Sequence, residues 1–171
     1  GRFYPNRDPL DNLRASTLMV YKRGTEHDLS GAIEQGLSII KELRVGFPPR
    51  GGLLSIPFQL GWIKRRMKKL SDDDIKTMPP LTDPRFLGAL RIMVIILEYA
   101  LHSQPMLVPQ MAFWMLRVML TMGISVMTAD GMAVLGLLSC NYFNEFDLGQ
   151  RAARLSLEIL EMYKGDDYWQ C

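Results

Sequence analysis

The sequence is poor in the side chains that carry most enzymatic chemistry. Its 171 residues include two histidines and two cysteines. His27 and His102 stand far apart; His27 falls in a polar turn, and His102 closes a helix, where its charged form suits the C-terminal dipole. Cys140 and Cys171 match neither a zinc nor a redox spacing. Cys140 lies inside an apolar run and reads as a small buried hydrophobe. So little thiol suits a reducing compartment, and a cytoplasmic location is the expectation. No G-x-x-x-x-G-K-[ST], H-E-x-x-H or G-x-S-x-G motif is present. Asp72-Asp73-Asp74 lacks the D-x-D-x-D-G pattern of a calcium loop. These acids are expected to cap a helix and to neutralise the basic run before them. No catalytic residue, metal or cofactor is therefore expected in this segment.

Charge excess is also missing. Twenty basic against eighteen acidic residues leave a net charge of +2, too small to demand a nucleic-acid or membrane partner. Unbroken apolar runs of membrane length are absent. Residues 86–101, 106–122 and 131–143 are apolar but short of the roughly 20 residues a span needs. Arg91 and Arg117 interrupt the first two, at a cost in lipid. Membrane insertion is not expected. The chain starts at Gly1 with no signal-peptide pattern after it, and reads as an excerpt of a longer protein.

What the sequence does have is helical periodicity. Hydrophobic residues make up 48%, and twelve methionines against seven phenylalanines suggest an adaptable helical core. Seven long helices are expected, at about 10–24, 28–45, 53–70, 83–102, 105–122, 125–143 and 146–164. In the first, Leu13, Thr17, Leu18, Val20 and Tyr21 recur at helical spacing, and Gly24 is read as its stop. Residues 1–9 read as a loop, Gly51-Gly52 as a break, and Gly165 to Cys171 as a lead into another helix. Ser71 with Asp74 predicts a capping box on a short helical turn. Thr82 or Asp83 is placed to cap the central helix, with Pro84 in its first turn.

Segments 28–43 and 146–160 resemble each other. Ala32, Gly36, Ile40 and Leu43 correspond to Gly149, Ala153, Leu157 and Leu160. Small residues four apart on the second helix of a pair suggest tetratricopeptide-like repeats. The expected fold is all-α, with antiparallel helix pairs stacked as a tetratricopeptide-like α-solenoid.

One family carries the same landmarks. Leu81-Thr82-Asp83-Pro84 with Gly88-Ala89-Leu90-Arg91, then Tyr99, Pro105 and Leu107, then Met122-Gly123-Ile124-Ser125, and finally Asn144-Glu145-Phe146 with Gly149, follow its pattern in order. On these residues the chain resembles, over roughly 10–164, the helical tetratricopeptide-like region of multidomain STAND/AAA-ATPase signalling proteins. In that family a serine/threonine kinase domain often precedes the ATPase, and sensor histidine-kinase or cyclase domains often follow. The resemblance implies a non-catalytic scaffold that contacts other domains of its own chain or a protein partner. The alternatives are a piece of an ATP-dependent signalling enzyme whose active site lies outside this segment, and a membrane-embedded helical protein.

Two groups of residues are candidates for contact or structure. Lys64, Arg65, Arg66, Lys68 and Lys69 form a basic run that can meet nucleic acid, anionic lipid or an acidic partner domain, or simply face solvent. No aromatic ladder alternates with the run, and nucleic acid is not expected as a partner. Thr82, Asp83, Pro84 and Arg91 form the other group. Arg91 and Glu98 lie two turns apart on an apolar helix, and Arg91 is expected to clasp a carboxylate or helix-end carbonyls.

Overall fold

A computed structural model describes residue 10 and residues 12–48 and 55–164. The expected loop over 1–9, the Gly51-Gly52 break and the tail from Gly165 with Cys171 lie outside the described residues. Among those described the protein is all-α, with eight helices and no strand. They are α1 (Leu13–Thr25), α2 (Leu29–Glu42), α3 (Ser55–Lys68), α4 (Asp72–Lys76), α5 (Pro84–Ser103), α6 (Val108–Met122), α7 (Thr128–Asn141) and α8 (Phe146–Met162). The chain divides into two compact units, each built from separate stretches of sequence.

The first unit is a cluster of α1, α2 and α5, each packed on the other two. Asp28 caps α2 by accepting from the Gly31 N–H at 3.0 Å. Ala32, Ile33, Gly36, Ile39 and Ile40 then fall on the buried side of α2. The approach of α2 to α5 depends on Gly36: a Cβ there would sit 2.6 Å from Ile96 Cγ2. Gly24 has a similar role rather than the expected stop. Helix α1 runs on to Thr25, and a Cβ at Gly24 would overlap the Tyr99 ring. Of the apolar face expected for α1, Val20 is buried and Leu13 and Thr17 are half-buried, while Leu18 and Tyr21 are exposed.

Helix α5 reaches 20 residues, long and apolar enough by length and composition to cross a membrane, which corrects the shorter run read from the sequence. Half of its apolar window is buried, with Ala89, Leu90, Ile92, Met93, Ile96 and Ala100 out of contact with solvent. Asp83, not Thr82, caps α5: its carboxylate accepts from the Arg85 N–H at 2.9 Å, and Pro84 takes the first helical position. Arg91 is half-buried and Glu98 exposed, and Arg91 has no ion-pair or hydrogen-bond partner among the described residues. Seven residues of helix separate the two by about 10 Å along the axis, too far for a direct pair. The expected clasp is therefore not formed there.

The second unit holds α3, α4, α6, α7 and α8. Helices α7 and α8 make its most extensive contact, α6 packs on α7, and α3 on α6. Helix α6 starts at Val108 and α7 at Thr128, each three residues later than expected. Ser125 sits in a buried turn, where the Thr128 hydroxyl donates to the Ser125 carbonyl. Between α7 and α8 the Ser156 hydroxyl donates to the Ala129 carbonyl at 2.9 Å. Ahead of α5, residues 79–81 are pinned to the α6–α7 turn by two backbone hydrogen bonds. Ile124 N–H donates to the Pro79 carbonyl at 2.9 Å, and Leu81 N–H to the Ile124 carbonyl at 2.8 Å. This is the one isolated β-bridge among the described residues.

The internal sequence match does not carry over to burial. Ile40 and Leu43 are each 2% exposed, whereas their counterparts Leu157 and Leu160 are 65% and 37% exposed. Packing is also not strictly sequential, since α5 covers α2 and α1 across the α3–α4 stretch.

Candidate functional site

Helix α3 positions the site because it has two unlike faces. Ile56, Leu60, Ile63 and Met67, spaced by four, three and four residues, are buried on the side that packs against α6. Phe58, Trp62 and Arg66 recur at four-residue intervals on the outer side, with Arg65 beside them and Lys69 in the following turn. Phe58 is 82% exposed and Trp62 37%. Pro57 is tolerated near the start of α3, where its missing N–H has no helical acceptor to serve.

Between α3 and α6 lies a groove of about 230 Å³, lined by Phe58, Gln59, Trp62, Ile63, Phe113 and Arg117. Its floor is apolar: Ile63 and Phe113 are each 1% exposed. Two guanidinium groups stand over the same indole. Arg66 Cζ is 5.7 Å and Arg117 Cζ 5.8 Å from the Trp62 ring centroid, both within cation–π range. Arg66 also donates to the Leu120 carbonyl at 3.4 Å, near the C-terminal end of α6, where a cation suits the helix dipole.

The local acids do not neutralise this cationic surface, contrary to the sequence expectation. Asp72 accepts from Arg151 Nε at 2.7 Å and Arg154 Nη2 at 2.6 Å, both on α8. The Arg151 hydrogen bond is the main reason its carboxyl lies below the usual range, with Arg154 adding to the effect against desolvation. Asp73 pairs with Lys76 at 3.1 Å. Asp74 completes the predicted capping box: the Ser71 N–H donates to its carboxylate at 2.8 Å, while the Ser71 hydroxyl accepts from the Asp74 N–H at 3.0 Å. Those Ser71 hydrogen bonds, the backbone one first, hold the Asp74 carboxyl low.

Within the basic run the five residues have different fates. Lys64 pairs with Glu145 at the start of α8. Arg66 leans on Trp62 and Leu120 as described. Arg65, Lys68 and Lys69 are exposed and have no carboxylate partner among the described residues, and neither does Arg117. The groove is lined without Thr82, Asp83, Pro84 and Arg91; Asp83, Pro84 and Arg91 belong to the other unit. Phe58, Gln59, Trp62, Phe113 and Arg117 were missed from sequence. The signal available was the spacing of Phe58, Trp62 and Arg66, which puts two aromatics and a cation on one helix face.

No cluster of three or more His, Cys, Asp or Glu side chains able to hold a metal occurs among the described residues. The arrangement offers contact chemistry: an apolar floor, guanidinium donors and an aromatic wall. Compared with family models, with curated proteins and with solved structures, the chain matches none.

Proposed function

We propose that this chain is a non-catalytic helical binding module that engages a polypeptide through the groove at Trp62. The observation that carries the reading is that groove, an exposed aromatic wall under two guanidinium groups with no carboxylate partner for them among the described residues. Exposed aromatics and arginines around a buried apolar floor are the composition that dominates binding energy at protein interfaces. The cellular setting proposed is a multidomain ATPase signalling protein, in which a tetratricopeptide-like, cytoplasmic scaffold of this sort contacts neighbouring domains or a protein partner. That setting rests on the Thr82-Asp83-Pro84 and Arg91 pattern and on the paired helices.

A photo-crosslinking residue at Phe58, introduced into the full-length gene product in its own cells, tests the reading. Crosslinks to a polypeptide, intramolecular or intermolecular, are expected; crosslinks confined to lipid or nucleic acid overturn it. Calorimetric titration of the chain with Mg-ATP is expected to give no saturable heat. Micromolar binding would return the chain to the enzyme reading.

A further inference from the structure

The chemistry of the groove narrows the occupant further. Its volume of about 230 Å³ is below the roughly 300–1,000 Å³ of common small-molecule sites. It has room for one large side chain, and the floor of Ile63 and Phe113 calls for an apolar one. Among the described residues, the charged side chains that line or overlie that floor are cationic. Arg66 and Arg117 flank Trp62, and Arg65, Lys68 and Lys69 extend the cationic surface along and just beyond α3. The nearest acids in sequence, Asp72, Asp73 and Asp74, are already engaged by Arg151, Arg154, Lys76 and Ser71.

We propose that the Trp62 groove takes an acidic protein segment, with one aromatic or large aliphatic anchor seated on Ile63 and Phe113 and flanking carboxylates on Arg66 and Arg117. The proposal rests on the binding-module reading above and specifies its partner. Guanidinium groups match carboxylates in a planar, two-point geometry that a lysine cannot offer. Their contact with the indole holds them partly in place before binding, which lowers the ordering cost of capture.

The same geometry argues against the other anionic partners. Stacking of nucleic-acid bases needs free aromatic faces, and Trp62 already carries two guanidinium groups over its ring. A lipid surface is met by apolar side chains that project outward. Here only Phe58 projects strongly, while the other apolar lining residues form a concave wall and floor.

Peptide-display selection on the immobilised chain is the test, followed by titration of the consensus as a synthetic fluorescent peptide. Enriched peptides are expected to carry an aromatic or large aliphatic residue with acids within a few positions of it. Arg117→Glu should weaken the synthetic peptide by about tenfold or more, and Phe58→Ala should weaken it measurably. Both side chains are exposed, so both variants should keep the wild-type circular-dichroism spectrum. Lys41→Glu, at an exposed position on α2, should change nothing. The proposal is overturned if enriched peptides lack acids or if Arg117→Glu binds as wild type does. It is equally overturned if phosphatidylserine vesicles or single-stranded DNA bind more tightly than the peptide and displace it. A polypeptide crosslinked at Phe58 alongside non-acidic peptides would leave the binding module standing and remove only the acidic occupant. Failure of both experiments removes both.

Discussion

Arg151 closes the turn between α3 and α4 from the side of α8. Its guanidinium donates to the Met67 carbonyl at 2.8 Å, to the Leu70 carbonyl and to Asp72. Lysine has the charge but not the fork. Arg151→Lys is expected to lower stability by about 1.5–3 kcal/mol, read from denaturant midpoints. The pH dependence follows from Asp72. Its folded pKa is lowered from 3.8, so the stability it contributes is present above that value and lost as pH falls through and below it. Arg151→Lys should therefore matter less in acid than at neutrality. Asp130, partly buried in the first turn of α7, behaves in the opposite sense. Desolvation raises its carboxyl pKa, so the folded protein carries a penalty above that raised value and is relieved as pH falls through it. Asp130→Asn should raise the midpoint at neutral pH, with the gain shrinking in acid; no gain at neutrality would contradict this. In α5, Asp83→Ala should cost about 1 kcal/mol through loss of the cap, whereas Arg91→Met should stay within about 0.5 kcal/mol. A larger loss at Arg91 would reveal a partner beyond the described residues.

At the scale of elements, helices were legible wherever local chemistry sets their ends. Ser71 and Asp83 each cap the helix that follows, as their side chains and positions suggest. Boundaries slipped where tertiary contact decides. Gly24 looked like a stop but serves a close approach to Tyr99, which no local pattern encodes. The helix expected from 125 begins instead at Thr128, after a turn in which Ser125 is buried. The groove was half legible: the cations of α3 stood out, but Phe113 and Arg117 come from another helix and only folding brings them to Trp62. Gly123 directly follows α6, in the turn that leads to α7. It adopts φ +131°, and a Cβ there would lie 2.4 Å from the Pro79 carbonyl oxygen. Gly123→Ala is expected to cost about 1–3 kcal/mol from backbone strain alone. It should also speed amide exchange at Leu81 and Ile124, whose N–H groups make the bridge. Unchanged exchange would show that the bridge does not depend on this glycine.

For the whole molecule, helical class follows from periodicity and composition, but the partition into two interleaved units does not. Period and capping are local, whereas the choice of α5 as the cover for α2 depends on which faces complement each other, as Gly36 does Ile92 and Ile96. That partition has a consequence during synthesis. Chains are made from the N-terminus at ~5–20 residues per second. Roughly 60 residues separate the end of α2 from the end of α5, so α2 waits about 3–12 s for its cover. During that interval Ile33, Ile39 and Ile40 are open to chaperones and to other nascent chains. Stalled ribosome complexes are expected to show strong trigger-factor or equivalent chaperone crosslinking at Ile40 before α5 has emerged and weak crosslinking afterwards. Equal crosslinking at both lengths would mean that α1 and α2 already form a closed pair.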